Sequence, residues 1–422
     1  MNNVLKNLGA AWAVWAAFSL PANPAQADVV DEARFCANAE WSKLPVLAEG
    51  RVMPLGVRAA HLRKFIFNAS ACSQVPATEL FCLLSFGKRS EIEAKHGCQL
   101  SLKIEHEKNA EIAGLPPGAR SASFESLWLF KQQLAMAHED LSARGAENSG
   151  QGVDLSNVLN RLAEMETLEK GENWKILGSD RAWLGVASVR ASGGVADDWQ
   201  SRISLQAKYL DATELASLWW ESLYEKVRPF YLAILIGLVG FLLSLLSVRS
   251  PRFTAAAVVS LVLLLLIEIF WITARTMISG RAPVTNMYET VLWAGLGVFV
   301  LATVMGFRLK DRRIWAFGFA GNAICLFMMQ FATTMLNPGI RPLVPVLRDN
   351  FWLSTHVTSV TFSYACFALS WLVSNFTILG WVSGRVGDQK AFLIRWNLVS
   401  RIAIQVGTVF LAAGIILGGV WA

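Results

Sequence analysis

Along this chain the spacing of apolar residues changes character near residue 228. Before that point apolar residues recur every three or four positions over 123–143, 155–170 and 198–226, the spacing of helices with one buried face. Leu100, Leu102 and Ile104 alternate with polar neighbours as a short strand would, and residues 174–177 read as another. Gly- and Ser-rich stretches at 145–152 and 191–196 predict loops. Beyond residue 228 come six apolar runs, at 230–248, 253–272, 290–307, 314–336, 352–381 and 402–422. Each is about as long as the ~17–25 residues a helix needs to cross a bilayer. Trp271, Trp293, Trp315, Trp352 and Trp381 lie near their ends, as interfacial anchors do. The expected fold is an α-helical polytopic membrane protein with about six transmembrane helices over 229–422. A mainly α extracytoplasmic domain over 28–228 precedes them.

Composition agrees. Of 422 residues 54% are hydrophobic and 17% charged, where a soluble chain carries about 25% charge. Only five of the 32 acidic residues lie beyond residue 228, against fourteen Lys and Arg. Such an excess in an apolar half is a topology signal. The connections 249–252, 308–313 and 383–401 hold ten basic residues, and 273–289 with 337–350 hold four. The positive-inside rule therefore puts the first three on the cytoplasmic side and the N-terminal domain outside. Residues 1–27 point the same way: Lys6, an apolar run, then Ala25-Gln26-Ala27, the layout of a cleaved signal peptide.

Cys36, Cys72, Cys82 and Cys98 form an even set in the exported segment, which favours structural disulfides with three connectivities open. No C-x-x-C or C-x-x-C-H occurs, so neither thioredoxin-like exchange nor a c-type cytochrome is indicated. His61, His96, His106 and His138 lack ligand spacing. The basic residues are spread over short loops, so no nucleic-acid partner is expected.

His356 is different. It follows His138 as the last histidine and sits four residues into the fifth run, at its outer end. That run would make a helix roughly 45 Å long against a hydrocarbon core of ~30 Å, so its outer turn stands at or above the headgroups. On a helical wheel Trp352, Ser359 and Ser363 share its face. The imidazole either ligates a metal or haem iron from outside or bonds to a neighbouring helix; the pattern leaves both open. Glu268 is costly inside a span, on the order of 2–3 kcal/mol, so it is expected to be paired or functional, and Arg275 seven residues on favours a salt bridge near the outer surface. Cys325 and Cys366 read as packing residues, and Asn322, Gln330, Asn375 and Gln405 as helix-to-helix hydrogen bonders.

Three stretches resemble one family: Gly280-Arg281-Ala282-Pro283-Val284-Thr285-Asn286-Met287-Tyr288-Glu289, then Leu343-Val344-Pro345-Val346-Leu347-Arg348-Asp349-Asn350-Phe351-Trp352-Leu353-Ser354-Thr355-His356-Val357, and Gly418-Gly419-Val420-Trp421-Ala422. Together they look like the CcsA-type (system II) cytochrome c biogenesis proteins, of the haem-handling family that includes the CcmC haem-delivery proteins. Leu44-Pro45-Val46 with Gly50-Arg51-Val52-Met53-Pro54-Leu55 is similar to the exported segment fused to such proteins in some bacteria.

The resemblance implies a bacterial inner-membrane protein with a periplasmic N-terminal domain. It implies haem (haem b, as cargo) held at the outer face for attachment to exported apocytochrome c, as part of a holocytochrome c synthase. His356 matches the first of two outer haem-ligating histidines, with Trp352, Ser359, Ser363 and Trp421 around the cofactor. The second histidine lies beyond a tryptophan-rich (WWD) loop in the family. Residues 418–422 match the lead-in to that loop, so truncation just before it is expected. A CcsB-type assembly partner or a thiol reductant is implied, besides membrane lipid. The competing reading is a non-catalytic membrane-anchored assembly protein whose exported domain binds a partner. A transporter fits less well, since a single acidic residue is deep in a span.

Overall fold

The computed structural model describes residues 36, 39–68, 71–177, 182–191, 208–227, 230–332, 336, 338–340, 350–384 and 387–421. The expected signal peptide, residues 341–349 and the start of the helix expected over 198–226 lie outside them.

In the N-terminal domain a 3-10 turn (Ala39–Lys43) leads into strands β1 (Pro45–Ala48) and β2 (Arg51–Pro54). They form a two-residue hairpin because Glu49 and Gly50 both take positive φ, as the turn matching strand twist requires. Helices α1 (Leu55–Ile66), α2 (Ala77–Ser85) and α3 (Arg89–His96) follow. Then come β3 (Ser101–Lys103), α4 (Glu107–Ile112), β4 (Ser121–Ser123), α5 (Phe124–Leu129), α6 (Lys131–Ala143) and α7 (Gly150–Glu169). Strands β5 (Lys175–Leu177) and β6 (Trp183–Gly185) and helix α8 (Val186–Ala191) come next. The larger sheet has order β2-β1-β5-β6, and β3 pairs with β4.

Leu155, Val158, Leu162, Met165 and Leu168 form the buried stripe of α7, which packs on α1 and α2. Trp174 is buried beside Phe81 and donates its indole N–H to Ser85 Oγ at 2.9 Å. Two disulfides, Cys36–Cys82 and Cys72–Cys98, lie in or beside the same core. The single helix expected over 123–143 is broken at Phe130, whose ring packs against the core and faces Gly114. The loop expected over 145–152 gives way to helix at Gly150: Ser149 Oγ accepts the Gly152 N–H at 3.1 Å, and a side chain at Gly152 would strike the Glu147 carbonyl.

Helix α9 (Ala212–Val227) joins the two halves, touching β2 and α1 on one side and the membrane bundle on the other. Six helices long and apolar enough to cross a membrane follow: α10 (Phe230–Arg249), α11 (Arg252–Ser279), α12 (Met287–Arg308), α13 (Arg313–Phe331), α14 (Asn350–Val382) and α15 (Gln389–Trp421). This is a multi-pass membrane protein. Helices α10–α13 pack on one another, α14 lies against α12 and α13, and α15 packs mainly on α14. Glycines let them approach: a Cβ on Gly240 would run into Phe319, and one on Gly306 into Trp315. Alternating direction places the end of α11, the start of α14 and the end of α15 on the side of the N-terminal domain.

Candidate functional site

Helices α14 and α15 meet along a glycine seam. A Cβ at Gly407 would stand 2.7 Å from Phe367, and one at Gly414 2.6 Å from Val360. One turn beyond Gly414, a Cβ at Gly418 would stand 2.8 Å from His356 Cε1 and 2.9 Å from Nδ1. The imidazole therefore lies in the groove left by two glycines four residues apart. Its Nδ1 is 2.7 Å from the carbonyl oxygen of Gly414. A carbonyl can only accept, so Nδ1 is the donor, and in the neutral imidazole Nε2 carries the lone pair. Nε2 makes no hydrogen bond among the described residues, and the side chain is half-buried rather than enclosed. Of the two readings left open by the sequence, the structure shows the bond to a neighbouring helix, and that bond engages one ring nitrogen only.

The remaining sequence candidates divide. Trp421 closes the seam with its ring 6.4 Å from the imidazole. Trp352 is half-buried, edge-on to the exposed Phe351. The hydroxyls of Ser359 and Ser363 each donate at 2.7 Å along their own helix, to the Thr355 and Val360 carbonyls. Their wheel positions are right, but the nearest acceptor for a helical serine is the turn below it.

On the same side of the bundle a buried polar layer stands below the N-terminal domain. Arg275, fully buried, donates to Glu289 at 2.8 Å and to the Pro338 carbonyl at 3.1 Å. Glu289 also accepts the Thr285 N–H at 2.8 Å and its hydroxyl at 2.9 Å. The expected Glu268–Arg275 bridge is therefore replaced. Seven residues span about 10 Å of helix, and Arg275 instead reaches across to α12. Glu268 takes the side-chain amide of Asn322. Gln330 does bond between helices, to Tyr231 at 2.9 Å, whereas Asn375 turns back to its own Trp371 carbonyl.

Three successive carbonyls leading toward α14 are held by three side chains: Pro338 by Arg275, Gly339 by Asn286 at 3.4 Å, and Ile340 by Arg51 at 2.9 Å. Arg51 also pairs with the buried Glu221 of α9 at 2.5–2.7 Å. The first domain is thus tied to the segment that precedes His356. Sequence spacing did not disclose this clamp, because its partners lie far apart along the chain. The glycines at 407, 414 and 418 were a visible signal for the seam.

No protein-family model matches the chain. It is 29% identical over 199 residues to the cytochrome c biogenesis protein CcsA of Chlamydomonas reinhardtii, covering 44% of this chain and 53% of that protein. Over 235 residues it is 28% identical to CcsA of Synechococcus sp. (strain RCC307), covering 45% and 72%. It resembles the CcsA proteins. Protein NrfI of Wolinella succinogenes is 26% identical over 156 residues, 35% of this chain and 16% of that protein. The CcsA-like chain thus spans about half the length of the Chlamydomonas protein and a smaller part of NrfI.

Proposed function

We propose that this chain acts in cytochrome c biogenesis by holding haem at the outer membrane face for covalent attachment to exported apocytochrome c. The observation that carries the reading is the 2.7 Å hydrogen bond from His356 Nδ1 to the Gly414 carbonyl. It orients the ring, so that in the neutral imidazole Nε2 would be the nitrogen that holds the iron. Trp421, with its ring centre 6.4 Å from that of the imidazole, supplies aromatic surface beside it. An axial imidazole helps set the iron's redox state. Holding the porphyrin in one pose turns its meeting with two cysteine thiols into a positioned encounter.

On this reading residues 1–27 are a signal peptide, residues 28–228 lie in the periplasm, and the bundle sits in a bacterial inner membrane. The domain's place beside the start of α14 supports a role in presenting the apocytochrome, or a thiol reductant, to the haem. A CcsB-type partner would dock on the same side. The test is haem content of the detergent-purified chain. His356→Ala should remove most of it, while His138→Ala, in the N-terminal domain, should not. Equal haem in all three preparations contradicts the assignment.

A further inference from the structure

Glu268 is the most isolated carboxyl in the bundle. It is wholly buried on α11 and accepts one hydrogen bond, from the side-chain amide of Asn322 on α13. The other oxygen of each group, Glu268 Oε2 and Asn322 Oδ1, is buried without a partner. Among the described residues no cation pairs with the carboxyl. Arg275, on the same helix, is taken by Glu289, and Tyr224 of α9 and Tyr288 of α12 stand beside that arginine. On α9, Glu221 pairs with Arg51 and Glu225 faces His61. On α10 the Tyr231 hydroxyl takes Gln330, and on α13 the remaining titratable neighbour is the thiol of Cys325. An ionised carboxylate here would rest on a single amide donor inside a membrane bundle, which its loss of hydration forbids.

Each of two side chains already joined by one hydrogen bond thus keeps a buried acceptor without a donor, which a single added proton could serve. We propose that Glu268 and Asn322 form a proton-binding site within the membrane, with Glu268 carried as the neutral acid. Its hydroxyl donates to Asn322 Oδ1 while the Asn322 amide donates to Glu268 Oε1, a closed acid–amide pair. Both orphaned oxygens are then satisfied, and α11 is tied to α13 without a buried charge. Gly295 of α12 helps make room, since a Cβ there would stand 2.9 Å from Cys325 Cβ and 3.6 Å from the Asn322 amide. The site is independent of the haem reading and lies on different helices from His356.

The test uses the full chain in detergent. Dicyclohexylcarbodiimide, which modifies protonated carboxyls in apolar surroundings, should label the peptide containing Glu268 at neutral pH. The adduct should vanish in Glu268→Gln and be indifferent to sodium ions. Infrared spectra supply a second reading that needs no reagent to enter the bundle. The carbonyl band of a protonated acid should be present in the parent and absent in Glu268→Gln. In Asn322→Leu it should persist, shifted to higher frequency by loss of its acceptor. A parent spectrum without that band overturns the proposal, as does labelling suppressed by sodium, which would make the pair a metal-cation site.

Discussion

In α12 and α13 half of the most apolar stretch is buried by other helices; in α15 the share is 17%. The first four membrane helices share one buried cluster around Leu264, Trp271, Phe299 and Phe319, although α10 and α11 bury 28% and 33% of theirs, no more than the 33% of α14. The last two form a hairpin that leans on α12 and α13 through α14 and leaves most of α15 facing outward. The closed part spends its polar groups on one another, as Arg275 and Glu289 do. The open hairpin contains the half-buried histidine with a nitrogen to spare. The closed part does hold a cavity of about 270 Å³ between α11 and α12, but side chains such as Val258, Leu261 and Phe299 line it and no histidine does. One-sided packing leaves the imidazole half-exposed, while a seam as tight as the glycine groove of α15 fixes its position.

The largest effect should come from breaking the closed part. Arg275→Met strands Glu289 as a buried charge and should cost roughly 3–5 kcal/mol, read as a lower thermal midpoint in detergent. The double variant Arg275→Met with Glu289→Gln should lose distinctly less; a double variant no better than the single one would break the contrast. Next comes the seam. Gly418→Val drives a side chain into the imidazole and should reduce bound haem to the level of His356→Ala. Gly419→Val points into open space and should retain it. Equal loss in both would mean that the seam does not position the histidine.

A smaller effect is expected where the two halves are joined. Arg51→Ala removes the partner of Glu221 and the donor to the Ile340 carbonyl, costing about 1–3 kcal/mol. Faster amide exchange should follow in the segment before α14, with the α10–α13 bundle unchanged. The smallest concerns the inner turn between α12 and α13. Burial works to raise the Asp311 carboxyl, but the hydrogen bonds and charge of Arg313, with the charge of Arg395, outweigh it and hold Asp311 below the usual range. Its contribution is therefore present above the unfolded-state value and lost as pH falls through the lower folded one. Arg313 lies over the Trp396 ring, so tryptophan fluorescence should change in acid for the parent and not for Asp311→Asn.

The six membrane helices were legible because a bilayer demands long apolar runs, and little else in a sequence looks like one. Their true lengths were not: α11 continues past Trp271 to Ser279 because Arg275 finds Glu289, a partner that no run of hydropathy encodes. His356 stood out as a lone outer histidine, while its ring orientation depended on a carbonyl 58 residues away. Ser359 and Ser363 show the limit of wheel arguments, which give a residue's face but not the direction of its hydroxyl. The β1–β2 hairpin went unread although Glu49-Gly50 marks its turn, since four-residue strands barely establish an alternation.

The most direct test of the seam as a haem site is a cavity rescue. His356→Gly removes the ligand and leaves a space between α14 and α15 that free imidazole can enter. The variant should purify with little haem, and added imidazole should restore haem binding and its absorbance bands. If the glycine variant keeps the parent's haem without imidazole, His356 does not hold the iron.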